Sequence, residues 1–128
     1  SVHGVMDGME VFSFAISKAP ALLKKVLQEN NIDKDYDVDF YLMHQANLLI
    51  NSMIVKKTKL DSKKVPSNIE EYGNTSCAAI PMLMVTRIKE ALRSKTLNLM
   101  LLAFGVGLTW GCVKIQTKNV VCLDLMEI

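Results

Sequence analysis

The order of periodic segments along the chain predicts a layered α/β domain with a mixed β-sheet. Three observations carry that reading. Apolar residues recur at three- and four-residue steps from Glu10 to Glu29, as on one buried helix face. Short, nearly continuous apolar runs at Val38 to Met43 and Leu97 to Phe104 have the length and composition of buried strands. The glycines of Gly105-Val106-Gly107 supply a tight turn into a returning run, Leu108 to Gln116.

The elements follow in order. Ser1 to Met9 shows no periodicity and reads as a connection. In the first helix Phe12, Ala15, Ile16, Ala19, Leu22, Leu23, Val26 and Leu27 form the buried face. Pro20 lacks an amide donor and its ring collides with the carbonyl of Ile16, so a kink or a second segment is expected there. Asn30-Asn31 ends the helix, and the first strand leaves His44 at its carboxyl end. Asn47 to Lys59 predicts a second helix, with Lys56, Lys57 and Lys59 in the last turn, where cations oppose the negative end of the macrodipole. Residues 62–76 read as irregular, with Pro66 and a polar run ending in N-cap candidates. Cys77 to Arg93 predicts one third helix, with Pro81 near its first turn, where proline is tolerated. Val120 to Met126 alternates weakly and is expected to add an edge strand.

Composition narrows the class. With 128 residues, half of them apolar, the chain has one domain's worth of core and is neither a disordered tail nor a collagenous segment. Fifteen basic against thirteen acidic residues leave a formal net charge of +2, too balanced for a protein whose main task is gripping nucleic acid. Cys77, Cys112 and Cys122 are odd in number and lack metal-type spacing, so no disulfide framework and no metal site is expected. No basic segment followed by an apolar one opens the chain, and no run of eighteen apolar residues occurs. A cytoplasmic protein without a membrane partner is the expectation.

The chemistry-bearing candidates are His44, Asn74 and the Gly105-Val106-Gly107 turn. Each follows or joins a strand, and ligands of open α/β sheets gather beyond the carboxyl ends of strands. Taken alone, His44 is more often a half-buried, satisfied histidine than a titrating donor, and Asn74 after Gly73 is more often a turn residue than a catalytic amide. The glycine turn lacks the spacing of a phosphate cradle. Cys77 is the one thiol to weigh as a nucleophile, because a helix N-terminus favours the thiolate, while Cys112 and Cys122 read as packing residues. The lysines at 56, 57, 59, 63 and 64 read as a solvated helix end, or as a surface for an acidic partner.

Three motifs together are more specific. His44-Gln45-Ala46-Asn47, Tyr72-Gly73-Asn74-Thr75-Ser76 with Ile80-Pro81 after it, and Phe104-Gly105-Val106-Gly107 followed by Thr109-Trp110-Gly111 resemble β-ketoacyl-acyl carrier protein synthase III. The likeness runs in order over about residues 6 to 116, and Met6-Asp7-Gly8 with Val11-Phe12 looks like the start of that family's C-terminal half. The resemblance implies a thiolase-like half-domain, a mixed sheet packed with about three helices. Residues 1–9 would connect from a missing N-terminal half, and residues 10–128 would form the C-terminal domain.

It also implies a reaction in two stages. An acyl group passes from coenzyme A to a cysteine, malonyl-acyl carrier protein loses carbon dioxide, and the enolate attacks the acyl-enzyme, as in fatty-acid chain initiation. His44 and Asn74 would aim N–H groups at the malonyl thioester oxygen, and the Val106 backbone N–H at the acyl-cysteine carbonyl. Preorganised donors of this kind are worth on the order of 3 kcal/mol each. His44 would have to stay neutral with Nε2 protonated. Phe12, Ala46, Asn47 and Phe104 match positions lining the pantetheine tunnel. No permanently bound cofactor is implied; the coenzyme A thioester and the phosphopantetheine of acyl carrier protein are substrates. The partners implied are acyl carrier protein, acyl-CoA and an N-terminal half bearing the cysteine nucleophile, in a homo-oligomer. No cysteine of this chain matches the nucleophile, so the chain by itself is expected to be inactive.

Departures from the pattern are informative. Val106 stands where the family more often has glycine, which limits the backbone angles but keeps the N–H. Met9 replaces an Asn that contacts the pantetheine arm. Leu49 replaces an Arg that helps dock the acidic carrier protein; Lys56, seven positions on and thus on the same helix face, could supply part of that attraction with Lys57. Two other readings stay open: a condensing enzyme of secondary metabolism with another acyl donor or acceptor, and a non-catalytic domain that binds a carrier protein or partner.

Overall fold

A computed structural model of the chain describes residues 8–45, 47–73, 78–105 and 109–122. At its centre are three strands in the order β1-β2-β3: β1 (Phe40–Met43), β2 (Leu97–Gly105) and β3 (Thr109–Thr117). β1 runs parallel to β2, with Phe40 opposite Leu99 and Met43 opposite Leu102. β3 returns antiparallel, from Gly105 opposite Thr109 to Leu97 opposite Thr117. The sheet is therefore mixed, as its sequence implies.

A parallel pair needs a long crossover. Here the crossover holds α2 (Leu48–Thr58), a 3-10 turn (Ser62–Lys64), α3 (Ile69–Tyr72), α4 (Ala79–Arg87) and α5 (Lys89–Ser94), while α1 (Gly8–Glu29) precedes β1. Because strand side chains alternate, one apolar run can feed two cores. Tyr41, Met43, Met100 and Leu102 meet Ala15, Ala19, Leu23 and Leu27 of α1 and Ile50 and Ile54 of α2. Leu42, Leu97 and Leu99 face the other way, onto Leu83 of α4, Ile88, and Leu92 of α5. Covering on both faces is the physical reason why β1 and β2 read as continuous apolar runs rather than as alternating ones.

The structure corrects several expectations. α1 starts at Gly8 and continues as one helix past Pro20, so no second segment begins there. A proline inside a helix costs about 3 kcal/mol or more. The fully buried Ala19 and Leu23 beside it hold the helix on the first core across the missing hydrogen bond. The break occurs elsewhere: Ile88, at φ −124° and ψ 16°, divides the expected helix Cys77 to Arg93 into α4 and α5. Leu83 and Leu92 are nine residues apart, which on one straight helix would set them on opposite sides. Breaking at the buried Ile88 lets both face the second core. Residues 62–73, expected to be irregular, contain the 3-10 turn, capped by Asp61 Oδ1 accepting from the Lys63 N–H at 3.0 Å, and α3. Five α-helices, rather than about three, are thus present among the described residues.

Residues 120–122 do not form the expected edge strand. The Val120 N–H donates to the Leu92 carbonyl at 3.3 Å, and the Arg93 Nε–H to the Cys122 carbonyl at 2.7 Å, so this segment docks on α5. Residues 123–126 of that expected strand lie outside the described residues. Among the described residues no helix is long and apolar enough to cross a membrane.

Candidate active site

Parallel pairing puts the carboxyl ends of β1 and β2 at the same end of the sheet, and the site is built there. One step past β1, the His44 N–H donates to the Leu102 carbonyl at 2.9 Å, extending the ladder beyond the strand. The His44 carbonyl accepts from Asn51 Nδ2 of α2 at 3.1 Å. Both main-chain polar groups of His44 are thereby pinned. Its ring is half-buried, and desolvation lowers its pKa below the ordinary 6.5. The imidazole is neutral at pH 7, with one N–H donor and one acceptor nitrogen.

The rest of the first motif divides its labour. Gln45 is completely buried. Its Nε2 donates back to the Met43 carbonyl at 2.8 Å, and its Oε1 accepts from Ser67 Oγ at 3.1 Å and from the Asn68 N–H at 3.2 Å. Asn47, in extended conformation, is the N-cap of α2: its Oδ1 accepts from the N–H groups of Leu49 at 2.8 Å and Ile50 at 3.3 Å. Ala46 lies outside the described residues.

The segment leading toward the second motif is tied to the same place. Asn68 is 2% exposed, and its Nδ2 donates to Thr86 Oγ1 of α4 at 3.0 Å. Thr86 Oγ1 in turn donates to the Met82 carbonyl at 2.6 Å. Arg87 Nε donates to the Ser67 carbonyl at 2.9 Å, and its guanidinium pairs with Glu71 of α3. α3 ends at Gly73, whose φ of +64° is a conformation only glycine takes without strain, and the Gly73 N–H closes on the Ile69 carbonyl at 2.8 Å. Asn74 and Cys77 are outside the described residues.

The third motif joins β2 to β3 at this end. The Phe104 backbone lies two residues beyond the carbonyl that holds His44, paired with Trp110, and Gly105 pairs with Thr109. Val106 is outside the described residues, as is the side chain of Phe104. The structure thus gathers the His44 loop, the start of α3 and the β2–β3 hairpin at one end of the sheet.

Other candidates are distributed. Phe12 is partly buried and packs against the first core. Lys56 and Lys57 are exposed in the last turn of α2, and Leu49 in its first turn is 58% exposed. Of the lysine cluster, Lys64 is engaged rather than solvated: its ammonium donates to the Val38 carbonyl at 2.7 Å and to the Asp35 carbonyl. Burial pushes the Cys112 thiol up to about 11. Cys112 packs against the first core and the buried Cys122 belongs to the second, so both are packing residues. A cavity of about 300 Å³ between α2 and the 3-10 turn has Asn51, Val55 and Val65 in its wall but not His44. Among the described residues no group of three or more His, Cys, Asp or Glu could hold a metal.

Sequence reasoning missed Gln45, Asn51, Asn68 and Thr86. The available signal was Gln45 itself, a long carboxamide directly after a buried strand, where an unpaired polar group is costly.

Residues 27–117 match the family described as 3-oxoacyl-[acyl-carrier-protein (ACP)] synthase III C terminal. The chain belongs to this family. Synthase III proteins are similar to it over most of its length: those of Porphyra umbilicalis and Clostridium tetani, both named beta-ketoacyl-[acyl-carrier-protein] synthase III, are 38% and 39% identical over 111 residues. Those 111 residues are 87% of this chain, and the chain spans about a third of the length of these relatives, 34% and 33%. Among solved structures, the 3-oxoacyl-(acyl-carrier protein) synthase from Burkholderia xenovorans LB400 superposes with a TM-score of 0.87 at 41% identity, covering 93% of this chain and 34% of that one. The synthase III from Pseudomonas aeruginosa PAO1 gives a TM-score of 0.80 at 30% identity, with 94% and 39% covered. The fold is that of a synthase III C-terminal domain, thiolase-like and α/β.

Proposed function

We propose that this chain is the C-terminal part of a decarboxylative condensing enzyme that joins an acyl group from a coenzyme A thioester to malonyl-acyl carrier protein in fatty-acid chain initiation. The observation that carries the reading is His44: a neutral, half-buried imidazole fixed through both its main-chain groups at the carboxyl end of a parallel strand, beside the β2–β3 hairpin.

As the malonyl carboxylate leaves as carbon dioxide, the electron pair of the breaking C–C bond moves onto the thioester oxygen. His44 Nε2–H and Asn74 Nδ2–H donate to that oxygen. The pair suits the task, because the amide keeps its donor at every pH and a depressed imidazole pKa keeps the ring from taking up a second proton near neutrality. The Val106 N–H serves the acyl-cysteine carbonyl, together with the amide of a cysteine supplied by an N-terminal half. Phe12, Ala46, Asn47 and Phe104 line the pantetheine path, and Lys56 and Lys57 attract the acidic carrier protein. The complete enzyme is a homo-oligomer in the cytoplasm and holds no permanent cofactor; acyl-CoA and the carrier's phosphopantetheine are its substrates. The exposed Leu48 and Leu49 favour, as a second reading, an acceptor in secondary metabolism that is recognised less by charge.

The test uses the complete two-half enzyme. His44→Ala and Asn74→Ala are each expected to slow malonyl decarboxylation about a hundredfold or more while acylation by the coenzyme A thioester stays within about threefold. Retained decarboxylation in either variant removes the assigned role.

A further inference from the structure

A buried polar chain lies behind His44. Gln45, at 0% exposure, and Asn68, at 2%, are polar side chains inside the fold, where every donor and acceptor must find a partner. Their hydrogen bonds leave no freedom of orientation. The Met43 carbonyl can only accept, so Nε2 of Gln45 must face it; the Asn68 N–H can only donate, so Oε1 must face that side. Thr86 gives its single hydroxyl proton to the Met82 carbonyl and can therefore only accept from Asn68 Nδ2, which fixes the second amide as well. A continuous line of bonds runs from the residue before His44, through the residue after it, to the cap of α3 and into α4.

We infer that Gln45 is a positioning residue, which locks the strand end bearing His44 to the segment that delivers Asn74 and so sets the spacing of the two donors. The inference rests on the donor roles proposed above for His44 and Asn74. Gln45 touches no reacting atom in this scheme; it acts through the geometry of its neighbours. Misplacement of a catalytic group by about 1 Å can cost about a hundredfold in rate.

Gln45→Met keeps the length of the side chain and removes all three bonds. In the complete enzyme it is expected to lower kcat for malonyl decarboxylation ten- to a hundredfold, with KM for the malonyl thioester and the rate of acyl transfer each within about threefold. Decarboxylation within threefold of the parent, or an equal fall in both half-reactions, would overturn the inference. Should Gln45→Met fail to fold, Thr86→Val cuts the same line at its far link: a selective fall in decarboxylation of threefold or more is expected, and an unchanged ratio of the two half-reactions overturns the inference. His44→Ala, measured alongside, separates the two ideas. If it abolishes decarboxylation while Gln45→Met does not, only the positioning role falls; if it retains decarboxylation, both fall.

Discussion

His44 combines a rigid main chain with a titratable ring, and the two properties have separate causes. The ladder bond to Leu102 and the Asn51 amide fix where the residue stands; partial desolvation fixes its protonation state. An NMR titration of the His44 ring is expected to give a midpoint below 6.5, and a midpoint above 6.5 contradicts the neutral-donor role. The linkage has a definite sign. The unfolded chain takes up the proton first, so the contribution of the neutral ring is full above pH 6.5 and is lost as pH falls from there toward the lowered folded pKa. Replacing the ring by His44→Gln should therefore reduce the fall in urea midpoint between neutral and mildly acid pH.

At the scale of elements, α2 shows how one residue can be legible for one reason and used for another. Asn47 stood out as part of a motif implying a pantetheine contact, yet its visible work is to cap α2 through Leu49 and Ile50. Asn47→Ala is expected to cost about 1 kcal/mol of local stability, read as faster hydrogen exchange at the Leu49 and Ile50 amides, with Asn47→Asp restoring protection; unchanged exchange would contradict the cap. The strands were legible because covering on both faces leaves a continuous apolar run, and β2 and β3 fall within a residue of their expected bounds. Helix breaks were not. Pro20 carries the strongest local breaking signal and is overridden by burial, whereas the break at Ile88 answers a tertiary demand, that Leu83 and Leu92 face one core, which no local pattern announces.

For the molecule as a whole, one sheet end collects segments distant in the chain. His44 stood out because it ends a strand, and the role proposed for Asn74 came only through the likeness of three motifs. The Gln45–Asn68–Thr86 line was hidden because its meaning depends on contacts spanning 23 and 18 residues. The chain spans about a third of the length of these relatives, so the chemistry proposed for it is tested in the complete two-half enzyme. The most direct measurement is a crystal structure of that complete enzyme with a non-reactive malonyl thioester mimic bound. The expected result is that His44 Nε2 and Asn74 Nδ2 both lie at hydrogen-bond distance, about 3 Å, from the thioester oxygen. Either nitrogen standing more than about 5 Å away, or directed elsewhere, would contradict the assignment of this pair to the enolate.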